Sequence, residues 1–315
     1  MLDRDDARAE ELLAAGVALD STGVEPYLAL ARFYRMRGEI GRAIRVHQNL
    51  LLRRDLTPNQ TVTCLADLAA DFRQGGFLQR AIASYEEVLG RDPKHVEALR
   101  ALVSLCADVR DFERALELQR RLAKFEKRDG RAERAGLLVD RAEAAQAEGK
   151  TDLARRTVKK ALRAHPGSVR GWLLLGALES ERGDAKAAIA AWRRVPALDR
   201  RSGPLVYARI EQAFAASGRS ETYEVYLREL LGERPDDAHA RLALARALAA
   251  RGETEEALAE LRRLLGREPE NLEARAVVGR LLLSERRDAD ATKEYAELLD
   301  VLERRGLLRA GERLG

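Results

Sequence analysis

Apolar residues along this chain return every three or four positions within short segments, and polar residues fill the intervals, which is the period of an amphipathic helix. Tyr27, Leu30, Phe33 and Tyr34 mark one such face, and Trp172, Leu175 and Gly176 lie within another segment. A small residue recurs in step with these segments at Ala9, Ala43, Ala81, Ala115, Ala154, Ala188, Ala257 and Ala291, with Tyr223 in the one gap. The steps are 34, 38, 34, 39, 34, 35, 34 and 34 residues. Five residues before it stands glycine in Gly38, Gly76, Gly149, Gly183, Gly218 and Gly252, where a helix can end with positive φ at little cost. Twelve residues after it stands Pro93, Pro166, Pro235 or Pro269, which stops one helix and precedes the next.

A period of this length, with these punctuators, is the signature of tetratricopeptide repeats (TPR), each a pair of antiparallel helices. The predicted fold is an all-α TPR solenoid, a right-handed superhelix of about eight helical hairpins with the first one incomplete. The organisation expected is a partial first repeat or capping helix over 1–24, a TPR array over 25–305 and a C-terminal tail over 306–315. The small residue marks where the two helices of a hairpin cross closely. Tyr223 is too large for that crossing, so its hairpin is expected to be wider.

Two steps exceed the period. The first surplus falls at 53–59, where Thr57-Pro58-Asn59-Gln60 reads as an N-cap, a proline at the first helical position and the glutamine of a capping box. The second falls at 127–135, where Asp129-Gly130 marks a turn. Both are expected to rotate one block of repeats slightly against the next.

Composition narrows the function classes. With 315 residues, 34% charged and 5% aromatic, the chain suits a thin helical object built from aliphatic contacts. Its 56 basic and 52 acidic residues nearly balance at a net charge of +4, which is no strong nucleic-acid footprint. Arg155, Arg156, Lys159 and Lys160 cluster on one helix, but cations suit the C-terminal half of a helix in any case. No apolar run reaches the ~18 residues of a membrane span, so the chain as given reads as cytoplasmic with no direct membrane insertion. Cys64 and Cys106 lie in different repeats without a CxxC pair, and His47, His95, His165 and His239 are dispersed, so no metal and no cofactor are expected. No nucleophile–base arrangement, phosphate-cradling loop or paired carboxylates can be assembled, so no catalytic residues and no enzyme are expected.

Three stretches resemble a particular family. Arg37-Gly-Glu-Ile-Gly-Arg-Ala43-Ile-Arg-Val-His47-Gln48 is similar to the first full repeat of the lipopolysaccharide assembly protein B (LapB) family. Leu56-Thr57 with the run from Gly76 to Ala81, and Gly218 to Leu227 with its aromatic at Tyr223, look like later parts of it. The resemblance implies a non-catalytic adaptor that regulates lipid A synthesis by helping the membrane protease FtsH degrade the deacetylase LpxC. It also implies anchoring on the cytoplasmic face of the inner membrane. That family carries an N-terminal membrane helix and a C-terminal rubredoxin-like zinc module, neither of which is present in this sequence; a trimmed chain would account for both. The alternative is a general TPR scaffold for envelope, secretion or pilus assembly.

Helical periodicity places Arg32, Arg35, Met36, Arg73 and Arg100 on the groove side of the first helices of the early repeats. They form the candidate partner-binding surface. Arginines over a small apolar floor would hold an acidic peptide or a C-terminal carboxylate bidentately, with Met36 as an adaptable contact. An ordinary solvated face is the competing reading. Further along the array, Leu173, Arg246 and Arg280 offer a second groove.

Overall fold

The computed structural model describes residues 2–307. The chain divides into two compact units, Met1–Ser168 and Val169–Gly315. Every regular element among the described residues is helical. In the first unit α1 (Leu2–Leu19) precedes four hairpins: α2 (Glu25–Met36) with α3 (Ile40–Leu51), α4 (Pro58–Gln74) with α5 (Leu78–Arg91), α6 (Val96–Asp108) with α7 (Phe112–Phe125), and α8 (Arg131–Ala147) with α9 (Thr151–Ala164). In the second unit, α10 (Val169–Glu181) pairs with α11 (Ala185–Trp192), which is followed by the short α12 (Arg194–Leu198). Three hairpins follow: α13 (Pro204–Ala216) with α14 (Ser220–Glu233), α15 (Ala238–Ala250) with α16 (Thr254–Arg267), and α17 (Leu272–Ser284) with α18 (Asp288–Arg304). The tail expected over 306–315 lies almost wholly outside the described residues.

The alanine period reports the hairpin crossings. Ala43, Ala81, Ala115, Ala154, Ala188, Ala257 and Ala291 are all 0% exposed. Ala9 is only half-buried, since α1 has no partner helix before it among the described residues and packs instead on α2. There Leu13 and Val17 cover Leu30, Tyr34 and Ala43, while Glu10 accepts hydrogen bonds from Arg42 at 2.6 Å and Tyr34 at 3.2 Å.

The glycine five residues before each crossing takes the left-handed turn expected of it, with φ of 77° at Gly38 and 83° at Gly252. Two repeats place arginine there, and Arg110 (62°) and Arg286 (58°) adopt the same conformation. Before Pro93, Pro166, Pro235 and Pro269 the helices end, and the preceding residue leaves the helical region, as at Asp92 (φ −127°, ψ 91°).

Each surplus makes a short connection and lengthens the first helix that follows it. Thr57 caps α4 in a full capping box with Gln60, and Pro58 occupies its first turn. Gly130 (φ 63°) opens α8. These two first helices run to 17 residues, against 12 in α2. A break appears at α11, which stops at Trp192 because Pro196, four residues on, has no N–H for the Trp192 carbonyl. Arg234 then bonds the carbonyls of Pro196 and Ala197.

Candidate partner-binding surface

The five residues expected on the groove all lie on first helices of the first unit or at their ends. Arg32 and Arg35 are on α2, Met36 ends α2, Arg73 is on α4 and Arg100 on α6. Met36 is 81% exposed and free to contact a partner. The arginines are tied to neighbouring elements. Arg32 donates from Nε at 2.9 Å and Nη2 at 2.6 Å to Asp67 Oδ2 on the next first helix. Arg35 donates to Asp67 Oδ1 at 2.9 Å, to the Asp67 carbonyl at 3.0 Å and to Asp71 Oδ1 at 3.1 Å. Arg73 reaches Ser104 Oγ on α6 at 3.2 Å, and Arg100 reaches Glu126 at 2.6 Å.

The sequence pattern suggested free basic posts; the structure gives Arg32, Arg35 and Arg100 carboxylate partners and Arg73 a hydroxyl. The partners were visible as charges one repeat away, since Asp67 lies 35 residues after Arg32 and Asp71 lies 36 after Arg35. Asp67 and Asp71 are also one helical turn apart on α4. Arg246 on α15 repeats the device with Glu273 on α17 at 2.6 Å, whereas Arg280 has no ion-pair partner among the described residues.

The network continues inward. His47 Nδ1 lies 2.6 Å from Asp71 Oδ2, and both side chains are fully buried. The His47 carbonyl accepts the Cys64 thiol at 3.4 Å. Burial acts to raise the Asp67 pKa, but the hydrogen bonds and charges of Arg32 and Arg35 outweigh it and hold the carboxyl below its usual range. The same pairing with Asp67 raises Arg32. Burial pushes the Cys64 thiol up to about 12 and the Cys106 thiol up to about 11, so both are poor nucleophiles and poor metal ligands near neutral pH. Sequence reasoning found none of this buried core, because His47 alone carries no sign that its partner lies on another hairpin.

The second unit offers a different concavity. α13 packs on α11 and α15, leaving a cleft of about 720 Å³ beside α10. Ser180, Glu181, Trp192, Arg209, Gln212 and Ser217 are among its lining residues. Trp192 is buried against Gly176, where any Cβ would overlap the indole nitrogen. The expected wider hairpin is here as well. Tyr223 replaces the crossing alanine, fills the gap between α13 and α14 against Phe214 (6.1 Å between rings) and Tyr226 (6.5 Å), and donates to the Tyr207 carbonyl at 3.1 Å.

Comparison with known proteins agrees with the repeat architecture. The tetratricopeptide repeat family matches at residues 67–132, 139–202 and 224–281, together more than half of the chain. Lipopolysaccharide assembly protein B of Escherichia coli K12 is 26% identical over 245 residues, covering 78% of this chain and 63% of that protein. Its Haemophilus influenzae counterpart is 31% identical over 166 residues, covering 52% of this chain and 41% of that protein. The chain therefore spans less than two thirds of these curated relatives. A tetratricopeptide repeat protein from Parabacteroides merdae of known structure aligns at a TM-score of 0.42 and 17% identity, over 82% of this chain and 98% of that one. By its repeat period, its helical hairpins and the family match over more than half of its length, the chain belongs to the tetratricopeptide repeat family, and by sequence it resembles lipopolysaccharide assembly protein B.

Proposed function

We propose that this chain is a non-catalytic adaptor that presents protein partners to one another, and that it acts in lipopolysaccharide assembly by promoting FtsH-dependent removal of the LpxC deacetylase. The observation that carries the reading is the likeness of its repeats to lipopolysaccharide assembly protein B over 78% of the chain. The stacked hairpins support it physically, because each first helix leaves one face outside its own hairpin and successive faces make an extended surface. No helix among the described residues is long and apolar enough to cross a membrane. From the likeness to lipopolysaccharide assembly protein B, work beside FtsH at the cytoplasmic face of the inner membrane is part of the proposal.

The partner surface proposed is the face bordered by Arg32, Arg35, Met36, Arg73 and Arg100. Arg35 is largely committed to Asp67 and Asp71 and acts as a brace. Arg32 and Arg100 keep 47% and 60% of their side chains exposed, and with Met36 they supply the accessible contacts. The test is reconstituted degradation of purified LpxC by FtsH with and without the chain. LpxC should disappear faster with it, and the acceleration should fall in Met36→Asp, which touches none of the internal ion pairs. An LpxC half-life that does not respond to the chain overturns the pathway assignment.

A further inference from the structure

A separate feature of the first unit lies between α7, α8 and α9. Arg120, Arg131, Arg134, Lys160 and Arg163 ring a cleft of about 240 Å³ whose floor is Leu116, Leu138 and Ala164. Among the described residues no carboxylate and no aromatic side chain lines it. Across a chain whose charges nearly balance, most arginines find an acidic partner or a carbonyl. Arg120, Lys160 and Arg163 have no acidic partner among the described residues. Arg134 is held half-buried by its bond to the Gly130 carbonyl at 3.2 Å, and Arg131 touches only the exposed Asp129 at 3.1 Å.

The second surplus in the repeat period builds this cleft. Its last residues form the first turn of α8, which brings in Arg131 and Arg134, and Gly130 at the N-cap seats that turn against Ala123 of α7, where a Cβ would come within 2.7 Å of the alanine methyl. Unmatched cations repel one another and gain nothing within the chain. A ligand that supplies several carboxylates and one aliphatic group would satisfy the rim and cover the floor together. Free phosphate would leave the leucine floor bare. A nucleic acid would find no aromatic platform for its bases.

We propose that the cleft between α7, α8 and α9 is a second binding site, which takes an acidic peptide segment carrying one aliphatic side chain. It lies away from Arg32 and Met36, so it stands or falls independently of the adaptor surface proposed above.

The experiment is fluorescence anisotropy on the full chain with short labelled peptides of Asp and Glu, centred on Leu, Ile, Val or Ser. The aliphatic-centred peptides should bind, with affinity falling as salt rises, and the Ser-centred peptide should bind roughly tenfold more weakly. Lys160→Glu combined with Arg163→Glu should weaken binding at least about tenfold. Both residues are exposed, so the helical signal should be unchanged; Lys160→Gln with Arg163→Gln is the milder pair if charge reversal perturbs folding. Failure of every aliphatic-centred peptide to bind overturns the proposal, as does undiminished binding by a folded variant. Equal affinity for the Ser-centred peptide means charge alone is read, and the proposal is then wrong. Displacement of the peptide by inorganic phosphate or single-stranded DNA at lower concentration than by unlabelled peptide also overturns it.

Discussion

The first unit joins its leading hairpins through charge, and the second joins its α13–α14 hairpin through aromatic rings. Around α2, α3 and α4 the crossing residue is Ala43, the helices close tightly, and the contact to the next hairpin runs through Arg35, Asp67, Asp71 and His47. Around α13 and α14 the crossing residue is Tyr223, the helices stand wider, and Trp192, Tyr207, Phe214, Tyr223 and Tyr226 fill the space in one apolar cluster. Two uses of one repeat thus fail differently. The charged joint depends on complete pairing, because a buried ion left alone costs more than the pair contributes. The aromatic joint depends on volume.

The largest effect expected is at the charged joint. Asp71→Ala leaves Arg35 short of one carboxylate and His47 buried without its partner, and should destabilise the chain by about 3–5 kcal/mol. Urea denaturation followed by circular dichroism measures it. A loss under ~1 kcal/mol would mean that water enters and replaces the carboxylate. The same argument makes charge reversal at Arg35 a stability change before it is a binding change.

Next comes Tyr223→Ala, which restores the residue found at every other crossing. Sequence consensus alone predicts stabilisation. The structure predicts a loss of about 3 kcal/mol, because α13 and α14 are spaced for a ring and alanine leaves a cavity. An unchanged or raised melting temperature would show that this hairpin can close up, and the contrast between the two joints would be lost.

How far the sequence reached follows from which interactions are local. The alanine phase, the glycine turns, the Thr57 capping box and the wide Tyr223 hairpin each follow from residues within one repeat, and each is where the pattern put it. The break at α11 was also written locally, in Pro196, but the even period across that repeat drew attention from it. The lengthening of the first helix after each surplus and the partners of Arg32 and Arg35 needed knowledge of which helix lies beside which. Their signal is a charge complement about one period away, Arg35 to Asp71, and it becomes readable only when repeats are compared pairwise. His47 and the basic cleft at α7, α8 and α9 had no such local sign.

A smaller effect separates the joints by pH. Asp67 has its pKa lowered by Arg32 and Arg35 against the opposing effect of burial, so the stability it contributes is present above the unfolded value near 3.8 and is lost as pH falls through the folded one. Burial raises the pKa of Tyr207 and Tyr223, and pushes Tyr226 up to about 12, so their contribution is full below the unfolded value near 10 and fades as pH rises above it. Tyr34 and Tyr85 add a lesser alkaline sensitivity to the first unit, again chiefly through burial. Both tryptophans, Trp172 and Trp192, lie in the second unit. In acid, helical signal should therefore fall before the tryptophan emission maximum moves; in alkali, the emission maximum should move with or before the helical signal. Coincident changes at both extremes would mean that the two regions melt together.

The smallest effect tests the turn common to both units. Arg110 and Arg286 hold the left-handed conformation that glycine takes in the other hairpins, at a strain of roughly 1 kcal/mol for a residue with a Cβ. Replacing either with glycine removes that strain but gives the unfolded chain more freedom, which returns about half of the gain. The two sites are not equal. Arg110 also lies 3.6 Å from Glu148, an exposed pair that solvent screens, whereas Arg286 makes no ion pair among the described residues. Arg286→Gly should therefore stabilise by about 0.5 kcal/mol and Arg110→Gly by less. Calorimetric melting of the two single variants beside the parent resolves the order. If Arg110→Gly gains more than Arg286→Gly, the Glu148 pair is itself unfavourable, and the turn strain alone no longer accounts for the difference between the two sites.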